Sequence, residues 1–460
     1  MRCIQGMILS LILALTIGCG DMQTDPPEQP NIIFVLADDL GWAELGCYGN
    51  TFNETPELDK LASEGMRFTA AYAAAPVCSP FRVSLMAGQY PVREGITDYL
   101  RPDDSKHLST DHTTIAEALQ QAGYATGMVG KWHLTGYKNH GAEEFPPAVH
   151  GFDEAMVSEN RGIGGGSYFH PYHFNKEIEQ RLPGKEFLVD RCNLEAVEFI
   201  ERNQDGPFFL YLSHYAVHTW LLGKPDLVAK YEAKPGGGKG EKASRNNPHL
   251  AAQLESIDTG VGMIRQKLAE LNIADNTIII FMSDNGGQHS PNPKHDVTTN
   301  APLRGGKSEL YDGGIREPLI VYWPGMVEGG TVCNEPVNSV DFYPTILDMA
   351  GATPDANQLL DGMSLQPLLT QTGAIEERAM YWHYPLAKPH FLGGFSAGAV
   401  RQGPYKLIEF YDSGKLELYN IADDISETTN LIGRNPELGA KLHSLLKAWR
   451  NEVGAKKTVD

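Results

Sequence analysis

Along most of its length the chain repeats one pattern, an apolar run of strand length followed by a stretch with helical spacing. The first run, N-I-I-F-V-L-A (31–37), has no polar alternation, as expected of a strand buried on both faces of a sheet. Thr55-Pro56 opens a helix that Gly65 closes, with Thr as N-cap, Pro at the first helical position and Gly just past the end. The rhythm continues as helix 114–122 and strand 124–130, helix 194–202 and strand 208–213, then helix 250–271 and strand 277–283. A strand at 318–323 precedes a helix around 342–350. Such alternation predicts an α/β fold with a large, mostly parallel sheet sandwiched by helices.

From about residue 374 the texture changes to short strands (398–410 and 415–420), Gly-containing turns and a closing helix (436–453). This predicts a smaller C-terminal antiparallel sheet with one covering helix. The expected division is 31–373 for the large α/β domain and 374–460 for an α+β subdomain. The tract K-P-G-G-G-K-G-E-K (234–242) lacks periodicity and is expected to be a surface loop, with a lid over an anionic substrate as the alternative.

The N-terminus places Arg2 before an apolar run (7–17), then Gly18-Cys19-Gly20 and a loose Pro-rich segment. Residues 1–18 are expected to form an export signal and 19–30 a flexible leader. T-I-G-C (16–19) is similar to a bacterial lipobox, with Thr16 where leucine is usual, which makes Cys19 a candidate for lipidation. The resulting expectation is a periplasmic or cell-surface protein, touching the membrane only through that anchor; ordinary signal cleavage is the alternative. The four remaining cysteines, Cys47, Cys78, Cys192 and Cys333, are scattered singly, so neither a disulfide framework nor a zinc cage is indicated. A net charge of -20 excludes binding to DNA, RNA or acidic lipid by bulk attraction.

Several expected strands end in polar clusters: Asp38-Asp39, G-K-W-H (130–133), Ser213-His214 leading to His218, and S-D-N-G (283–286). Open α/β sheets bind ligands beyond the carboxyl ends of their strands, so these clusters are expected to converge. Asp38, Asp39, Asp284 and Asn285 offer hard oxygen donors, which suit calcium or magnesium and match zinc poorly. Taken singly, each has a plainer reading: Asp-Asp as a helix cap or turn, D-N-G as a turn, the lysines as solvated, and His133 and His218 as satisfied histidines.

The segment A-P-V-C-S-P-F-R-V-S-L-M-A-G (75–88) sets Cys78 before Pro80 and Arg82 at the start of a short helix. A helix starting near Pro80 directs unpaired N–H groups and its positive dipole end toward an anion at position 78. The plainer reading makes Cys78 a small buried hydrophobe. The segment contains the C-x-P-x-R core of the type I, formylglycine-dependent sulfatases of the alkaline-phosphatase-like superfamily, and the chain resembles that family from N-I-I-F-V-L-A-D-D to L-Y-N-I-A-D-D.

The resemblance implies that Cys78 is oxidised by a formylglycine-generating or maturase enzyme, that one hydroxyl of its hydrate attacks sulfur, and that the other later expels sulfate. It implies one calcium ion, with magnesium less favoured, held by Asp38, Asp39, Asp284, Asn285 and the modified Cys78. Arg82 would hold the hydrate, Lys131 the sulfate oxygens, His218 and Lys307 the leaving oxygen, and His133 would take a proton during elimination. The implied activity is a sulfuric ester hydrolase, with sulfated carbohydrate inferred from export and family habit.

Three positions depart from the family: Phe81 where serine is frequent, Ala87 where threonine is frequent, and Trp220 where proline is common. Trp220 either stacks on a sugar face or packs. His107, His170, His173, His289, His295 and Arg161 receive no role. Two other readings compete: a phosphoester or phosphonate hydrolase on the same sheet, and a non-catalytic binder of sulfated glycans if Cys78 stays unmodified.

Overall fold

The computed structural model describes residues 29–136, 145–160, 168–289 and 296–458. The expected signal at 1–18, Cys19 with residues 20–28 of the leader, Arg161 and His295 lie outside them.

Nine described strands form the large sheet: β1 (Asn31–Ala37), β2 (Met66–Tyr72), β3 (Ala125–Gly130), β4 (Glu154–Met156), β5 (Phe208–Ser213), β6 (Thr277–Ser283), β7 (Arg316–Tyr322), β8 (Thr331–Cys333) and β9 (Val337–Asn338). Their order is β4-β3-β5-β1-β6-β7-β2-β8, with β9 also on β2. The five strands from β4 to β6 are parallel, while β7 runs antiparallel to both neighbours. The mostly parallel sheet is therefore present, with one reversed strand where the expected strand at 318–323 lies.

β1 shows why the sequence reads as an unbroken apolar run. Ile32, Phe34 and Leu36 face one layer, which contains the helices Cys78–Ala87, Ile115–Gln121 and Phe342–Ala350. Ile33, Val35 and Ala37 face the other layer, with Pro56–Glu64, Leu188–Arg202 and Pro248–Glu270. Every residue of this central strand is buried, so neither face tolerates polar alternation. No described helix is long and apolar enough to cross a membrane.

The second sheet is β10 (Ala379–Tyr384), β11 (Ala397–Gln402), β12 (Tyr405–Phe410) and β13 (Leu416–Asn420), antiparallel in that order. Helix Pro436–Glu452 covers one face, seating Leu442, Leu446 and Trp449 on Val400, Leu407 and Leu418. The other face joins the large domain through Trp382, Ala399 and Ile408, which share a cluster with Tyr72 and Ile315. The single strand expected at 398–410 is in fact a hairpin. Gly403, with φ +54, makes a two-residue turn with Pro404 between the paired Gln402 and Tyr405. Helix 194–202 begins earlier, at Leu188, and β2 and β10, both unforeseen, are strands.

Candidate active site

Four neighbouring strands of the sheet, β3, β5, β1 and β6, end at the same edge, which carries the polar clusters to one place. Ala37 pairs with Ser283, Leu36 with Ser213, and Ser213 with Gly130. Backbone bonds continue the register past the strand ends: Asp284 N donates to Ala37 O (3.1 Å) and Lys131 N to Ser213 O (2.8 Å). Asp38, Lys131, Asp284 and Asn285 are thereby fully buried side by side.

Cys78 reaches this edge on the first residue of helix Cys78–Ala87, two residues earlier than the start expected near Pro80. Val77, the residue before it, is extended and offers no side-chain cap, so the first-turn N–H groups keep their anion-binding potential. Donor atoms of Asp38, Cys78 and Asp284 all lie within 4.8 Å of one another. Burial first of all pushes the Cys78 thiol up from its usual pKa, which makes an unmodified thiol a poor nucleophile here.

The carboxylates are wired to cations. Lys131 Nζ pairs with Asp38 Oδ2, and Lys307 Nζ lies 2.7 Å from Asp39 Oδ1. Burial alone would raise the Asp38 pKa, but Lys131, His218, Arg82 and Lys307 together hold this carboxyl well below the usual range. Asp284 is raised, by burial and then by the Asp38 charge. Arg82, also fully buried, gives NH2 to Asp284 Oδ2 (2.9 Å) and NH1 to Ser213 Oγ (2.6 Å) and the Lys131 carbonyl (2.8 Å). Most of its donors thus brace three strand ends, and Nε, buried without a partner, is the donor left over.

The oxygen donors fit a hard divalent cation on two observations. Asp38 Oδ1 and Asn285 Oδ1 are buried with no hydrogen-bond partner, a costly state unless something positive meets them. Asn285 Nδ2 meanwhile donates to Asp39 Oδ1 (2.8 Å) and the Gly286 carbonyl (3.0 Å), which commits the amide nitrogen and leaves the oxygen free.

Both histidines are oriented by carbonyls, and a carbonyl only accepts. His133 Nε2 lies 2.8 Å from Leu100 O, so Nε2 carries the proton and the buried, unpartnered Nδ1 is a free lone pair. Burial and then Lys131 hold its pKa well below 6.5, which keeps the ring neutral. His218 Nδ1 donates to Thr219 O (2.5 Å), while Nε2 lies 3.7 Å from Asp39 Oδ2.

Two residues at the site receive no role from the sequence. Glu159 accepts from Trp132 N (3.0 Å), His133 N (2.5 Å) and Tyr215 Oη (2.9 Å), which locks the turn holding Lys131 and His133. Glu317 on β7 has both carboxylate oxygens buried without a partner, and burial followed by the Asp284 and Asp39 charges raises its pKa well above the usual value. Of the histidines given no role, His107 and His170 bond to backbone carbonyls and His289 lies 3.3 Å from Asp296. Trp220 is 73% exposed, so it does not pack.

A buried nest of lysines and carboxylates at the carboxyl edge of an α/β sheet marks an enzyme acting on anionic esters. Comparison with known proteins narrows that class. The sulfatase family model matches residues 30–352, and the model described as N-sulphoglucosamine sulphohydrolase, C-terminal, matches 306–452. A sulfatase of Formosa agariphila is 29% identical, with 96% of this chain and 92% of that protein covered. Human arylsulfatase A is 33% identical, with 93% and 83% covered. The solved structure of Ps i-CgsB in complex with k-i-k-neocarrahexaose is 30% identical at a TM-score of 0.80, covering 92% of this chain and 93% of that one. The chain belongs to the sulfatase family, whose members are sulfuric ester hydrolases.

Proposed function

We propose that the protein hydrolyses sulfate monoesters of sulfated carbohydrate, using a formylglycine made from Cys78 and one calcium ion. The observation that carries this reading is the convergence of the Cys78 sulfur with the Asp38 and Asp284 oxygens at an uncapped helix start. The carbohydrate part draws support from the similar structure solved with k-i-k-neocarrahexaose.

Asp38, Asp39, Asp284, Asn285 and residue 78 would hold calcium, which supplies positive charge for the sulfate oxygens. Oxidised by a maturase and hydrated, residue 78 would supply one hydroxyl as the nucleophile toward sulfur and a second whose deprotonation would release sulfate. Lys131 and Lys307 bring ammonium groups that their carboxylate partners keep charged, so each can bind sulfate or leaving oxygens without titrating. At His218 both ring nitrogens face acceptors, which prepares the ring to receive a proton. Burial and then Lys307 lower its pKa, against which the Asp39 carboxylate favours the protonated ring that could protonate the departing alkoxide. Neutral His133, whose free Nδ1 is a lone pair, would accept the proton from that side chain.

We further propose export under the signal at 1–18, with Cys19 lipidated and the enzyme held at the periplasmic or cell surface, 31–373 forming the catalytic domain and 374–460 its subdomain. The test is protein co-expressed with a maturase. Mass spectrometry of the residue-78 peptide should show an aldehyde-reactive species lighter than cysteine, and the protein should release sulfate from aryl and sugar sulfates. Cys78→Ala should abolish release, and equal activity in that variant would remove the assigned nucleophile. Faster turnover of phosphonate or phosphate esters would instead move the protein toward the phosphonate monoester hydrolase that shares its fold at 21% identity and a TM-score of 0.65.

A further inference from the structure

A cleft of about 440 Å³ opens beside the site, with His218, Trp220, Leu221, Val297, Lys242 and Phe391 among its walls. Its volume falls within the roughly 300–1,000 Å³ of small-molecule sites. Trp220 is 73% and Phe391 77% exposed, the two highest exposures among the described large apolar side chains, and both stand in this one cleft. They come from distant parts of the chain, Trp220 from the segment after β5 and Phe391 from the loop between β10 and β11. Leaving two aromatic faces in water is unfavourable, and the cost is offset when a ligand covers them.

The presentation of Phe391 is built rather than incidental. His390 N donates to Gly394 O (2.7 Å) and Gly393 N to His390 O (2.9 Å), closing the loop on itself. The loop lies so close to the Lys307 segment that a Cβ on Gly394 would sit 1.9 Å from Ser308 O. His390 is buried behind Phe391, their ring centroids 4.3 Å apart.

We propose that Trp220 and Phe391 form the subsite for the sugar ring of the leaving alcohol, holding it by its apolar faces; this rests on the sulfatase reading above. His218 belongs to both the cleft and the ester site, since its Nε2 lies 3.7 Å from Asp39. A substrate whose sulfate sits at Asp38 and residue 78 therefore passes its bridging oxygen by His218 and places its alcohol in the cleft. Glu241 and Lys242 stand together in the lining and balance in charge, so the cleft selects by stacking, whereas the buried site selects by charge.

Two measurements test this. In Cys78→Ala protein, which cannot form the aldehyde, tryptophan fluorescence is titrated with D-glucosamine-2-N,6-O-disulfate, k-i-k-neocarrahexaose and inorganic sulfate. At least one sugar is expected to quench, inorganic sulfate is not, and Trp220→Ala should abolish the change. In mature enzyme, Trp220→Ala and Phe391→Ala should each raise KM for the quenching sugar about tenfold with kcat within about threefold, and Trp220→Phe should recover most of the loss. Absence of quenching by both sugars, or KM within about twofold of wild type in both alanine variants, overturns the proposal. It is equally overturned if Lys242→Ala raises KM while Trp220→Ala does not, since the cleft then reads a second anion. The two readings fail separately: quenching that depends on Trp220 in a mature protein releasing no sulfate keeps the subsite and removes the reaction.

Discussion

His133 and His218 share a bonding rule and yet differ in what their second ring nitrogen faces, which is why the proposed reaction gives them opposite tasks. Each spends one N–H on a carbonyl, but the second nitrogen of His133 is a buried lone pair, whereas that of His218 faces the Asp39 carboxylate. The difference predicts different kinetics. His218→Ala should lower kcat on sugar sulfates by about 10²–10³ and cost much less on an aryl sulfate, whose leaving group needs no proton. His133→Ala should lower kcat on both substrates alike, and the residue-78 peptide should gain mass as sulfate is retained. Equal losses for both variants on both substrates, with no retained sulfate, would remove these assignments. At this scale the sequence was legible where a polar residue directly follows an apolar run, as at Asp38, Lys131 and Asp284, because strand register alone delivers such residues to the sheet edge. Glu159 was not legible, since a lone loop glutamate that works through backbone N–H groups leaves no spacing or motif behind. Phe391 was missed for a related reason: its place in the cleft depends on how the β10–β11 loop meets the Lys307 segment.

Helix Pro56–Glu64 shows where an element-level reading succeeds and where it stops. Pro56 is the first helical residue and Gly65 follows the end, as the sequence predicts. The cap is not Thr55, whose Oγ1 instead accepts from Gly46 N (2.9 Å) and donates to Asp59 (3.1 Å). Asp258, from helix Pro248–Glu270, caps it at long range, accepting from Glu57 N (3.2 Å) and Leu58 N (2.8 Å). A local sequence window cannot contain a residue two hundred positions away. Asp258→Ala should therefore destabilise the protein by about 1–2 kcal/mol in denaturant unfolding. Burial, opposed by these two bonds and aided by Glu57 and Asp59, pushes the Asp258 carboxyl up to about 7. Between the ordinary carboxylate pKa and that value the native state holds a proton the unfolded chain has released, so this group makes stability fall as pH rises. Asp258→Asn should flatten that slope across the interval, and an unchanged slope would show that the carboxylate is ionised in the native state.

At the scale of the whole molecule, the small sheet helps to position the catalytic edge of the large one. Lys406 on β12 is fully buried, with Nζ 2.7 Å from Asp312 Oδ1 and 2.9 Å from Glu427 Oε1. Asp312 also accepts from Tyr72 Oη of β2 (2.8 Å), and Glu427 Oε2 accepts from Asp312 N (2.6 Å). Five residues before Asp312 stands Lys307, and Ser308 N donates to Pro76 O (2.8 Å), two residues before Cys78. The ion cluster thus anchors the segment that brings both Lys307 and the Cys78 turn into place. Lys406→Met keeps the aliphatic stem and removes the cation shared by two buried carboxylates, leaving Asp312 with Arg316 (3.3 Å) and the Tyr72 hydroxyl, so a loss of about 3 kcal/mol is expected. If the anchor acts as argued, kcat should fall as well, because Lys307 loses its fixed approach to Asp39. A variant that melts lower but retains full kcat at low temperature would make the cluster a stability device alone. One that melts with wild type would mean that desolvation of the Lys406 ammonium cancels its attraction to the carboxylates, leaving the apolar contacts of Trp382 and Ile408 to hold the two sheets together.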